Sequence, residues 1–207
     1  PRTSDGGFWH NQGLEGQLWL DGVYMILPFL ARYAQVFDDT TLYSECADQL
    51  LTYASHLQAS TGLMYHAYDE DGSAGWADPI THHSSQFWGR SMGWFGMAII
   101  EVLEILPQDY PKRDALVQLL SELITGLSQY QDEETGLWFQ VVNRGDHPEN
   151  WLESSCSSMY SYVTARAVEK GYIDSSYLEM AIKGFEGVLN NFIEIDSNGL
   201  VSMTNIC

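Results

Sequence analysis

Asp21, Arg90 and Glu153 each stand two residues after a tryptophan, in the strings LWLDG (18–22), FWGRS (87–91) and NWLES (150–154). The matched position is thus charged in every copy, with mixed sign, and in a ring of helices the three side chains would converge near one mouth. Asp21 heads a long apolar stretch, where an unpaired charge is costly and needs a partner or a task. A packing role alone would favour Leu or Ala at such positions. The competing reading is structural: Asp21 and Glu153 as helix N-terminal carboxylates, and Arg90 as the cation of a buried network. His10 and His66 lie in nearby loop strings. Most of the seven tryptophans fall in or beside these strings, where indole faces could stack on pyranose rings. His82 and His83 are adjacent, but no HxxxH or CxxC spacing accompanies them, so no metal is expected. The run DEDG at 69–72 lacks the later ligands of a calcium loop and reads as a solvated turn.

The elements that must position these residues repeat. TGLMYHAYD from Thr61, TGLWFQVVN from Thr135 and SNGLVSMTN from Ser197 share a Gly-Leu turn, with a weaker copy at GGFWHN. Both kinds of string recur at intervals of roughly 70 residues, the size of a helical hairpin with its loops. Each tryptophan string opens a predicted helix, over 18–36, 86–106 and 153–170. The first is apolar nearly all round and is expected to be buried on every side. The second carries Gly89, Gly93 and Gly96 at helical spacing, inviting a close neighbour. Between them run one-faced helices, such as that of Leu116, Leu119, Leu120, Leu123, Ile124 and Leu127. Fully buried helices alternating with half-exposed ones predict two concentric layers: an all-α, six-hairpin (α/α)6 toroid, of which three hairpins are only part. A helical solenoid without a central cavity is the alternative. Residues 1–207 are expected to form a single domain.

Composition narrows the partners. Nine basic against 28 acidic residues leave a net charge of −19, which disfavours nucleic acid and anionic membrane. Hydrophobic residues make up 45% of the chain, enough for one sizeable core. No run reaches the ~20 apolar residues that a membrane span needs. Cys46, Cys156 and Cys207 have no metal or disulfide spacing and read as buried thiols.

RTSDGGFWHN, LWLDGVYMILPFLARYA, GLMYHAYD, FWGRSMGWFGMAIIEVL and NWLESSCSSMYSY, in that order, resemble the unsaturated rhamnogalacturonyl hydrolases, glycoside hydrolase family 105. The unsaturated glucuronyl hydrolases of family 88 are related to them. The resemblance covers essentially the whole chain. It implies a longer six-hairpin barrel, with the first hairpins and the extreme C-terminus outside this sequence. It also implies a substrate, an oligosaccharide ending in a 4,5-unsaturated uronic acid, and no cofactor. By the same resemblance Asp21 is the general acid and base, with His66 and Arg90 at the sugar. His10, Trp19, Met25, Trp88 and Trp94 are substrate-binding. Where family members often read WGRGNGW, this chain has Ser91 and Met92, which leaves Arg90 and both tryptophans in place. Another α/α-toroid carbohydrate enzyme and a non-catalytic sugar-binding relative are the alternatives. Oligomeric state is left open.

Overall fold

The computed structural model describes residues 1–207. Six α-helices carry the fold: α1 (Gly22–Phe37), α2 (Thr41–Leu57), α3 (Gly89–Ile105), α4 (Arg113–Ser128), α5 (Ser154–Glu169) and α6 (Leu178–Phe192). Two small antiparallel ribbons complete it, β1 (Gln17–Trp19) with β2 (Ala67–Asp69) and β3 (Ile193–Ile195) with β4 (Val201–Met203). No helix is long and apolar enough to cross a membrane.

The helices form three hairpins, α1–α2, α3–α4 and α5–α6. α3 lies between α1 and α5 in an inner row, and α2, α4 and α6 lie outside. This is part of an α/α toroid. Sequence explains the layering. α3 buries residues on nearly all its sides, from Met92 through Phe95, Ile99 and Leu103. α4 buries Leu116, Leu120, Leu123 and Leu127 on one face and wets the other, as its period requires. α5 reaches close to α3 at the helical glycines. A Cβ on Gly89 would lie 2.9 Å from Cys156 Sγ, and one on Gly93 only 2.5 Å from Met159 Sδ.

The Gly-Leu loops lock each hairpin to the next. Gly62 has φ +85° and Gly136 φ +75°, conformations that L side chains rarely adopt. A Cβ at Gly62 would lie 2.3 Å from the Glu122 carbonyl of α4, and one at Gly136 2.5 Å from the Lys183 carbonyl of α6. The outer helices reciprocate with Gly126 and Gly187, where a Cβ would meet the Thr61 and Thr135 carbonyls at 2.7 and 2.2 Å. Gly199 repeats the turn at φ +80° with nothing beside it.

Three expectations need correction. The first helix begins at Gly22 rather than 18, because Leu18 and Trp19 pair with Tyr68 and Ala67 in the β1–β2 ribbon. That helix is not buried on every side either: Val23, Leu27, Ala31 and Ala34 are buried, while Met25, Phe29, Val36 and Phe37 face outward. α1 has an inner-row neighbour on one flank only, as does α5, so its other flank stays bare. Of the cysteines, Cys46 and Cys156 are buried, but Cys207 is exposed.

Candidate active site

The β1–β2 ribbon builds the site. Its register places Trp19 opposite Ala67, and the Leu20 N–H donates to the His66 carbonyl at 2.8 Å. The chain then turns into α1 at Asp21, so the ribbon brings Asp21 and His66 side by side. Asp21 occupies the N-cap position, yet its side chain caps no N–H. Its Oδ1 is buried and has no hydrogen-bond partner. A buried, unsatisfied carboxylate oxygen costs several kcal/mol unless a ligand or water supplies the missing partner.

Around Asp21 runs a wall of rings. His10 stacks on Trp19 at 5.0 Å, and Trp19 meets His66 edge-on at 5.3 Å. His66 in turn stands edge-on to Trp88 at 4.9 Å, and the Arg90 guanidinium lies 4.7 Å over the Trp88 ring. His10 Nδ1, His66 Nδ1 and Trp9 Nε1 are also buried without partners. Four unpaired polar atoms on neighbouring segments mark a place prepared for a polar ligand. Burial holds the His66 imidazole below its ordinary pKa. The Asp21 carboxylate opposes this and His10 reinforces it. The net effect favours the neutral imidazole.

Trp19, His66, Trp76, Trp88, Gln86 and Val141 line a cleft of about 360 Å³. His10 and Met25 line an adjoining hollow of about 550 Å³ with Trp9 and Tyr53. Trp94 stands apart from both and packs on Tyr24, 4.6 Å away, whose hydroxyl donates to Glu101. Of the residues expected at the site, the structure thus gathers Asp21, His10, Trp19, His66, Trp88 and Arg90. It leaves Met25 on a rim and Trp94 between α1 and α3.

Glu153 departs from its two counterparts. It is fully buried as the N-cap of α5. It accepts from the N–H groups of Ser155, Cys156 and Cys207 and from the Ser155 hydroxyl. Burial pushes its carboxyl up, but these bonds outweigh it and the net shift is downward. Here the structural reading holds, and Glu153 supplies no reacting group. Arg90 donates to the Cys207 carbonyl and has no carboxylate partner. His82 and His83 face carbonyls of Glu70 and His56, at 3.2 and 2.5 Å. No three His, Cys, Asp or Glu side chains stand close enough together to hold a metal ion.

Sequence reasoning did not select Trp76, Gln86, Val141 or Tyr53. Trp76 was visible as one more indole, but only the folded loop from 70 to 83 brings it to Trp19, 6.3 Å away. Tyr53 reaches the site from α2, where it looks like an ordinary core residue.

A partial α/α toroid with an indole-walled cleft at the heads of its inner helices is the architecture of a carbohydrate-active protein. The chain belongs to Glycosyl Hydrolase Family 88, whose model matches residues 1–207. It is similar to a solved glycoside hydrolase of family 105 from C. acetobutylicum ATCC 824. The identity is 37% and the TM-score 0.97, over 100% of this chain and 58% of that one. It is also similar to the unsaturated rhamnogalacturonyl hydrolase YesR of Bacillus subtilis (strain 168), 25% identical over 167 residues. That match covers 80% of this chain and 44% of the relative. A 24.9 kDa protein in the picA locus of Rhizobium radiobacter is 29% identical over 186 residues, covering 88% and 79% respectively. The chain thus spans well under two thirds of the solved chain and of YesR.

Proposed function

We propose that this protein releases a 4,5-unsaturated uronic acid from the non-reducing end of an oligosaccharide, with unsaturated galacturonyl-rhamnose fragments of rhamnogalacturonan as the preferred class. The observation that carries the reading is Asp21, a half-buried carboxyl group with one oxygen shielded and unpartnered among His10, Trp19 and His66. The name of the Bacillus relative supports the substrate class.

The chemistry suits a single carboxyl group. The substrate is an enol ether, C4=C5–O5. Asp21 gives a proton to C4, and positive charge develops on C5 and O5. Water adds at C5, returning a proton to Asp21. The hemiketal opens, and the aglycone leaves as the sugar rearranges. The usual spaced pair of carboxylates is not needed. Arg90 is the cation for the uronate in a protein whose overall field repels it, and His66 and His10 are hydrogen-bonding partners for hydroxyls. Trp19 and Trp88 are the stacking walls. Met25 borders the same region, and Trp94 supports it through Tyr24. No cofactor takes part.

The test is a substrate comparison. Lyase-treated pectin fragments should lose the ultraviolet absorbance of their conjugated carboxylate when the protein is added, and saturated fragments of the same length should remain intact. Cleavage of the saturated fragments, or binding of the unsaturated ones without loss of absorbance, would sink the reading.

A further inference from the structure

Beside the aromatic cleft lies a second hollow of about 230 Å³, whose lining includes Gln86, Val141, Arg144, His147 and Glu149. Gln86 and Val141 belong to both hollows, so the two lie side by side across these residues. Backbone bonds fasten the second hollow to the first. Gly89 N–H donates to the Gln140 carbonyl at 2.7 Å and Val142 N–H to the Phe87 carbonyl at 3.0 Å, with Trp88 paired to Val141 between them. The loop beyond is a series of turns, with Arg144, His147 and Asn150 N–H groups donating to the carbonyls of Val141, Arg144 and His147. The Asn150 side chain clamps it, accepting from Val141 N–H at 3.1 Å and donating to the carbonyls of Val141 and Arg144 at 2.9 and 2.8 Å.

This ordered loop presents an unengaged cation. The Arg144 guanidinium is exposed and makes neither an ion pair nor a hydrogen bond, whereas Arg2, Arg113, Arg166 and Lys112 are all engaged. His147 Nδ1 accepts the Glu149 N–H at 3.3 Å, which leaves Nε2 as its donor. In a chain of net charge −19, an unengaged guanidinium beside the aromatic cleft has the forked donor geometry that suits an oxyanion. The Glu149 carboxylate on the same rim weakens the long-range field, so the anion must reach Arg144 directly.

We propose that this hollow is an anion-accepting subsite for the leaving portion of the substrate, in which Arg144 pairs with the carboxylate of the next acidic sugar. The inference rests on the aromatic cleft holding the unsaturated uronide. A neutral sugar would then lie between the two, against Gln86 and Val141. A sulfate ester on that neutral sugar offers the same oxyanion chemistry, and the test separates the two sources.

The experiment compares the full-length protein with its Arg144→Gln and Arg144→Lys variants on three ligands: an unsaturated disaccharide with a neutral aglycone, the tetrasaccharide carrying a second uronate, and a disaccharide with a sulfated aglycone. Arg144→Gln should lower kcat/KM on the tetrasaccharide about fivefold, mainly through KM, and leave the neutral disaccharide within about twofold. Arg144→Lys should restore most of the loss, and high salt should erase the wild-type preference. A loss confined to the sulfated disaccharide overturns the carboxylate assignment and gives the subsite to a sulfate ester. Equal losses on all three ligands, or none on either anionic one, overturn the subsite. Calorimetric binding of the same ligands reads Arg144 without turnover. A protein that binds the tetrasaccharide through Arg144 but frees no uronate therefore fails the proposed reaction and keeps the subsite.

Discussion

The guanidinium of Arg90 lies 4.7 Å over the ring of Trp88, and no carboxylate pairs with it. The indole and the Cys207 carbonyl, rather than an Asp or Glu side chain, hold this cation beside the cleft. Arg90→Lys keeps the charge but loses the planar stack and the forked donor geometry. Steady-state kinetics on an unsaturated uronyl disaccharide should show KM raised about fivefold with kcat little changed, since a stack of this kind is worth about 1 kcal/mol. A lysine variant with wild-type KM would show that the stack does not position the cation.

Asp21→Asn tests the proton donor. The substitution is nearly isosteric, so turnover should vanish while oligosaccharide affinity, measured by calorimetry, stays within about tenfold. The same variant has a spectroscopic consequence. The Asp21 carboxylate partly offsets the burial that depresses His66. Its removal should move the His66 pKa further down in an NMR titration. An upward move would mean that the two side chains do not sense each other as described.

Glu153 makes stability depend on pH. Its native pKa lies below that of the unfolded chain, so its contribution is fully present above the unfolded value near 4.5 and is lost as pH falls through the lower, folded value. Glu153→Gln should cost about 2 kcal/mol at neutral pH, because Glu153 is a cap and a buried acceptor of several bonds. It should also flatten the acid limb of stability against pH, as followed by urea unfolding at several pH values. An acid limb as steep as that of the wild type would assign the acid sensitivity to other carboxylates.

The Gly-Leu loops carry a purely mechanical prediction. Gly62→Ala should destabilise the protein by more than about 2 kcal/mol, since the strain of a positive φ adds to a collision with backbone. A Cβ there would lie 2.3 Å from the Glu122 carbonyl. Gly199→Ala shares the positive φ but has open space around it and should cost less. Thermal unfolding of the two variants gives the comparison, and equal losses would show that φ alone matters.

Much of the fold is legible in the sequence, for a local reason. Helical period and the turn glycines depend on residues within one or two turns of each other, and the matched strings are each local patterns; together they mark six helices in three hairpins. The start of α1 is not legible because Leu18 and Trp19 answer to Tyr68 and Ala67, some fifty residues away, and such pairing leaves no local mark. The bare flank of α1 is not legible either, because an all-round apolar pattern shows what a helix can bury, not how many neighbours it has.

By itself the sequence determined the helices, the repeat and the chemical types at its matched positions. Their matched positions alone do not rank Asp21, Arg90 and Glu153, and the family resemblance gives roles only to the first two. The tertiary structure supplies the physical difference between them. The Ser155 and Cys156 N–H groups of its own helix, joined by the distant Cys207 N–H, saturate the Glu153 carboxylate; the β1–β2 ribbon sets Asp21 beside His66 and leaves one of its oxygens without a partner; Trp88 carries Arg90. Whether a charged side chain is spent on structure or free for chemistry depends on who meets it in space, and the contacts that decide it here include His66 beside Asp21 and Cys207 at Glu153, both far away in sequence.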